Sequence, residues 1–127
     1  MIDRPEDALL AHYDEALGRF GDTAQGARWP NERDRQLRYD VMLDLMAGRE
    51  GEPAVLVDLG CGTGELLSRI RARGLSNIEY VGVDRSAQAI EMARAKFPEA
   101  RFLVLDVNDP AADLGLVDCD YLVANGL

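Results

Sequence analysis

The hydrophobic pattern of the chain changes character near residue 54. Before that point apolar residues recur every three or four positions. Leu9, Leu10, Tyr13, Leu17 and Phe20 form one series, and Leu37, Val41 and Leu45, with Met42 and Met46 beside them, form a second. This spacing predicts helices over 5–20 and 32–47, the second with its series on the buried side. Pro5 suits a first-turn position, Asn31 is placed to cap the second helix, and Gly48 ends it. Residues 21–30, which carry the only tryptophan, Trp29, read as a loop, and 48–53 as a short linker. From Ala54 the pattern becomes short apolar runs, at 54–59, 79–83, 101–105 and 120–124. These are buried strands by length and by their β-branched and aromatic content. Helical segments at 65–73 and 87–97 separate the first three. Gly74 is expected as the left-handed cap of one, Ser86 as the N-cap of the other, and Pro98 lies just past its end. Such alternation predicts a parallel sheet with right-handed crossovers. The connection 106–119 holds Asp109-Pro110 and a weak helical signal over 111–114, which leaves a short helix and an irregular crossover both open.

Length and composition add limits to this outline. The chain has 127 residues, enough for one core of ordinary size, with 47% hydrophobic and 29% charged residues. No apolar run approaches the roughly 20 residues of a membrane span, and the N-terminus lacks a signal-peptide pattern, so the cytoplasm is the expected location. The net charge is −9, from 23 acids and 14 bases, and Lys96 is the single lysine. Non-specific nucleic-acid binding needs basic side chains to neutralise phosphates, so this balance argues against it. Arg28, Arg33, Arg35 and Arg38 form the one arginine cluster, and their interleaving with Glu32, Asp34 and Asp40 reads as a solvated helix face. Cys61 and Cys119 are too few for a disulfide scaffold or a zinc site. The parallel arrangement puts them at opposite ends of the sheet, beyond the ~7 Å Cα limit for a bridge, so both are expected reduced and structural.

The stretch with chemical content is Val55-Leu56-Val57-Asp58-Leu59-Gly60-Cys61-Gly62-Thr63-Gly64-Glu65. A buried strand ends in an acid, turns over three glycines at alternate positions, and enters a helix whose N-terminus faces any ligand on the loop. A dinucleotide fingerprint would read G-x-G-x-x-G. Here the third glycine comes one residue early, and Asp58 stands where it would repel a pyrophosphate. The same acid is suited to ordering the loop by accepting its amide protons, or to lying near a cationic ligand. The pattern therefore fits a nucleoside carrying an amino-acid tail better than a dinucleotide.

Asp58-Leu59-Gly60-Cys61-Gly62-Thr63-Gly64 resembles motif I of the class I S-adenosylmethionine-dependent methyltransferases. Tyr80-Val81-Gly82-Val83-Asp84 resembles the family's second strand, with Asp84 as the acid that takes both ribose hydroxyls. Arg101 to Val107 resembles the third strand, with Asp106 accepting from the adenine amino group and the Val107 amide reading the adjacent ring nitrogen. Asp120 to Asn125 resembles the fourth strand, whose end faces the methyl group. The resemblance implies S-adenosyl-L-methionine as cofactor, held by Asp58, Gly60, Cys61, Gly62, Gly64, Asp84, Arg85, Asp106, Val107 and Asn125. It implies an α/β, Rossmann-like parallel sheet of about four strands in the order 3-2-1-4. A two-helix extension, 1–53, precedes the cofactor-binding core, 54–127. In some bacterial members such an extension covers the cofactor or shapes the acceptor pocket, roles open to Tyr13 and Trp29; packing under the sheet is the alternative for both. His12, the single histidine, reads as a surface or capping residue.

The family sheet has seven strands in the order 3-2-1-4-5-7-6, and four are recognisable here, as in a truncated version of that fold. Asn125-Gly126-Leu127 is not the Asn-Pro-Pro-aromatic motif of base and amide methylation. No metal site and no general base stand out, although Tyr13 is one possible base. A small-molecule acceptor is favoured, with nucleic acid and membrane disfavoured. Strand 120–124 would carry an open apolar edge, which predicts a dimer through that edge or a fragment of a longer protein. A cofactor-binding module without activity of its own and a nicotinamide oxidoreductase are the competing readings.

Overall fold

A computed structural model describes residues 5–21, 31–46, 51–106 and 118–124. The elements run α1 (Pro5–Phe20), α2 (Glu32–Asp44), β1 (Ala54–Leu59), α3 (Glu65–Ala72), β2 (Ile78–Asp84), α4 (Ala87–Lys96), β3 (Arg101–Val104) and β4 (Tyr121–Ala124). The four strands form one sheet in the order β3-β2-β1-β4, and every pairing is parallel. This is the predicted order, and the strand bounds differ from those expected by a residue at most. The anticipated caps are in place. The Asn31 side chain accepts from the Asp34 amide, the Ser86 hydroxyl accepts from the Ala89 amide, and Gly74 takes a left-handed φ of 68°. The 106–119 connection lies outside the described residues except at its two ends.

Strand alternation sends residues to two faces of the sheet. One face carries Leu56, Tyr80 and Phe102, which pack with Leu66, Leu67 and Ile70 of α3, Ile90 and Ala93 of α4, and Tyr39 and Leu43 of α2. Fully burying a Leu or Ile contributes about 1.5–3 kcal/mol, so this face holds most of the described core. Gly82 makes the packing possible: a Cβ there would come within 2.7 Å of the Phe102 ring and 2.9 Å of the Cys61 sulfur. The other face gathers Val57, Val81 and Val83, with Leu59, Leu103 and Leu105 against them, and no residue of the four described helices joins that cluster.

Several expectations are corrected. The second helix ends at Asp44, and the face it buries differs from the one predicted. Leu37, Val41 and Leu45 are 59%, 54% and 83% exposed, whereas Arg35, Tyr39 and Leu43 are buried and Met42 and Met46 pack beside them. Both series repeat at helical spacing, and tertiary contact selects the one containing an arginine because its charge is met. Arg35 reaches Glu32 at 3.1 Å and Glu65 at 3.3 Å. Arg35 is therefore no part of a solvated face. In α1, Leu17 is buried while Leu9 and Phe20 are exposed. Cys61 is buried but Cys119 is exposed, so only the former has a packing role; both thiols are free.

Candidate cofactor site

The predicted site residues that are described converge at the C-terminal ends of β1, β2 and β3, where a parallel sheet opens its ligand crevice. Gly60, Gly62 and Gly64 have φ of 73°, 56° and 88°. At Gly62 and Gly64 the space is closed as well. A Cβ on Gly62 would lie 2.9 Å from the Tyr13 hydroxyl, and one on Gly64 would lie 3.2 Å from the Phe102 ring. Left-handed backbone and close neighbours together leave glycine as the unstrained residue at both positions.

The loop is moored to β2. The Gly60 and Cys61 amides donate to the Val83 carbonyl at 2.8 and 3.0 Å, and the Gly62 amide donates to Asp84 Oδ2 at 2.9 Å. The Ser86 amide donates to Asp84 Oδ1 at 2.8 Å, and the Leu105 amide donates to the Asp84 carbonyl at 2.9 Å. Asp84 thus fixes the glycine loop, the start of α4 and the end of β3. The loop-ordering role that the sequence suggested for Asp58 belongs to Asp84. Burial raises the Asp84 carboxyl above its ordinary range, and the Ser86 and Gly62 amides oppose that shift.

Asp58 lies beneath the loop, 2% exposed, and accepts a hydrogen bond from the Tyr80 hydroxyl at 2.7 Å. Burial pushes its carboxyl up to about 7; the Tyr80 bond opposes the shift and the Asp84 charge adds to it. Tyr80 was not among the expected site residues. Its signal was the register: Leu56 pairs with Tyr80 in parallel β1 and β2, so 58 and 80 share a face, and Gly82 offers no side chain between them. Cys61, beside Asp58, is raised by burial and is an inert packing thiol.

The helix α1 lies over the same ends. The Ser86 hydroxyl donates to Asp14 Oδ1 at 2.5 Å, and Arg85 Nη2 reaches Asp7 Oδ1 at 2.5 Å. Arg85 Nε stands 3.9 Å from Asp106 Oδ2. Sequence reading missed Asp7 and Asp14, although their spacing of seven puts them on one helix face. Tyr13, between them, has its hydroxyl proton held more firmly than usual, by burial first and by Asp84 next. That suits it to donate a hydrogen bond rather than to accept a proton. His12 is exposed, as anticipated. The first helical residue after the loop, Glu65, has its carboxylate near Arg35 and 3.9 Å from Lys96 Nζ. Val107, Asn125 and Trp29 lie outside the described residues. A groove of about 470 Å³, lined by Leu67, Ile70, Arg71, Tyr80, Glu99 and Arg101 among others, sits toward the opposite ends of β2 and β3 and contains none of the predicted site residues.

Comparison with known proteins gives consistent findings. Residues 56–126 match the model of a family described as a methyltransferase domain. A segment of 54 residues is 39% identical to a trans-aconitate 2-methyltransferase of Methylobacterium radiotolerans, covering 42% of this chain and 20% of that protein. Among solved structures, a TehB-like SAM-dependent methyltransferase from Corynebacterium glutamicum superposes with a TM-score of 0.60 at 26% identity, over 91% of this chain and 55% of its own. DesVI of Streptomyces venezuelae superposes with a TM-score of 0.56 at 22% identity, over 98% of this chain and 44% of its own. The chain thus spans about half the length of these solved relatives.

Proposed function

The chain belongs to the methyltransferase-domain family, whose cofactor is S-adenosylmethionine, and from that premise we propose that the crevice over the glycine loop binds this cofactor for methyl transfer to a small-molecule acceptor. The single observation that carries the reading is the Asp84-moored loop, with its three left-handed glycines and a second strand-end acid, Asp106, beside it. Asp84 accepts the Gly62 amide on one oxygen and the Ser86 amide on the other, and a carboxylate with about four lone-pair sites has acceptor capacity left for ribose hydroxyls. Asp106 with the Val107 amide holds adenine, and Arg85 lies between the ribose and adenine acids. The backbone of Gly60, Cys61, Gly62 and Gly64 forms the floor along which the cofactor lies, and Asp58 supports that floor from below. The N-terminus of α3 faces the methionine carboxylate, an interaction of about 0.3–1 kcal/mol at an exposed helix end. Asn125, next in sequence after β4, is proposed as the contact at the methyl end.

The cofactor itself supplies the electrophilic methyl in an in-line displacement. The chain's part is to bind, align and exclude water. The reading assigns no general base. It takes 1–53 as an extension and 54–127 as the cofactor core of a cytoplasmic protein. The acidic composition and the small-molecule acceptor in the curated relative's name favour such an acceptor over nucleic acid. Since the chain spans about half of its solved relatives, a cofactor-binding module that acquires activity from further chain or a partner is the second reading.

Calorimetry tests both. S-adenosylhomocysteine is expected to bind, NAD(H) is expected not to displace it, and Asp84→Ala, which removes both the loop mooring and the proposed ribose contact, is expected to weaken it by more than about tenfold. Displacement by NAD(H), or an unchanged affinity in the variant, would remove the reading. Binding without turnover over a broad acceptor panel favours the module. Strand β4 borders the sheet beside β1, with Leu122 exposed, and we propose that two copies pair through this edge. Light scattering should show a concentration-dependent dimer; a monomer at high concentration would exclude the pairing.

A further inference from the structure

We infer that Tyr13 is a cofactor-positioning residue: its hydroxyl, carried by α1 over the middle glycine of the loop, donates a hydrogen bond to the cofactor where it crosses Gly62. This rests on the reading that the crevice takes S-adenosylmethionine.

Three observations meet at this hydroxyl. It is buried and makes no hydrogen bond among the described residues. It stands so close to the loop that a Cβ on Gly62 would lie 2.9 Å from it. The helix that carries it is fastened on both sides of position 13, by Asp7 to Arg85 and by Asp14 to Ser86, the two residues that follow Asp84. A buried hydroxyl without a partner opposes folding, and phenylalanine would fill the same space without that cost. The burial and the neighbouring Asp84 charge keep the proton on Tyr13, so the group is suited to donate. Its placement above Gly62, whose amide already binds Asp84, puts that donor beside the proposed ribose site and over the path of the amino-acid tail. A ligand lying on the loop brings acceptors to a hydroxyl that the chain leaves unmatched.

The test compares wild type with Tyr13→Phe in two measurements: S-adenosylhomocysteine affinity by calorimetry and the melting temperature of the ligand-free protein. One neutral hydrogen bond predicts affinity about three- to tenfold weaker in the variant. Removal of an unmatched hydroxyl predicts a ligand-free melting temperature that is unchanged or higher. Wild-type affinity in the variant would overturn the inference. So would a lower ligand-free melting temperature accompanying the weaker binding, because tyrosine would then be serving the fold. If wild type itself fails to bind S-adenosylhomocysteine, the assignment of the crevice falls first, and this inference falls with it.

Discussion

At the scale of single residues, Asp58 shows how one carboxylate can be recognised in sequence and still be misassigned. Its place before the glycines marks it as part of the loop motif, but pattern alone does not say which amides it reaches. In the fold it faces Tyr80 from β2, Cys61 from the loop and Tyr39 from α2, with Asp84 nearby. Burial therefore lifts its carboxyl to about 7 from an ordinary 3.8. A raised acid binds its proton more tightly in the folded state than in the unfolded one. Its contribution is most favourable below the unfolded value and is lost as pH rises through the folded value. The Asp58→Asn variant removes that proton. Its stability relative to wild type, measured by urea unfolding, should increase between pH 4 and pH 7, by up to about 1.4 kcal/mol per pH unit. A constant offset across that range would show that Asp58 does not titrate there.

Elements were more legible than contacts. The strands, their order, the caps at Asn31 and Ser86 and the left-handed Gly74 follow from runs, spacing and backbone chemistry that act locally. The orientation of α2 does not, because its sequence offers two apolar-containing stripes and neither has a local preference for the core. The decision lies on α3. Arg69 makes a bidentate pair with Asp40 at 3.0 Å, Arg73 reaches Asp44 at 2.8 Å, and Glu65 meets Arg35. Together these contacts turn the stripe with Arg35, Tyr39 and Leu43 inward. Two leucines two residues apart should then respond very differently. Leu43→Ala is expected to cost about 2–5 kcal/mol and Leu45→Ala no more than about 0.5 kcal/mol in denaturant unfolding. Comparable losses would mean that the helix presents the face expected from sequence.

At the scale of the molecule, the described residues distribute unevenly about the sheet. Among the described residues, the core helices α2, α3 and α4 belong to one face, with α1 across the strand ends, and the cluster on the opposite face is made of residues of the strands and their ends. The sheet order and the meeting of Asp58, the glycine loop, Asp84 and Asp106 at the strand ends were readable because strand runs and the turns that follow them carry local signals. The role of the N-terminal helices was not, because Asp7, Tyr13 and Asp14 acquire meaning only once 70 or more residues of intervening chain bring them to Arg85 and Ser86. The bond from the Gly62 amide to Asp84 has a parallel consequence for interpreting substitutions. It closes a ring of the chain on the same carboxylate that is proposed to receive the ribose. Loss of that carboxylate therefore alters the receptor's shape and its ligand contact in one step, and the two effects are thermodynamically inseparable in any single substitution at residue 84.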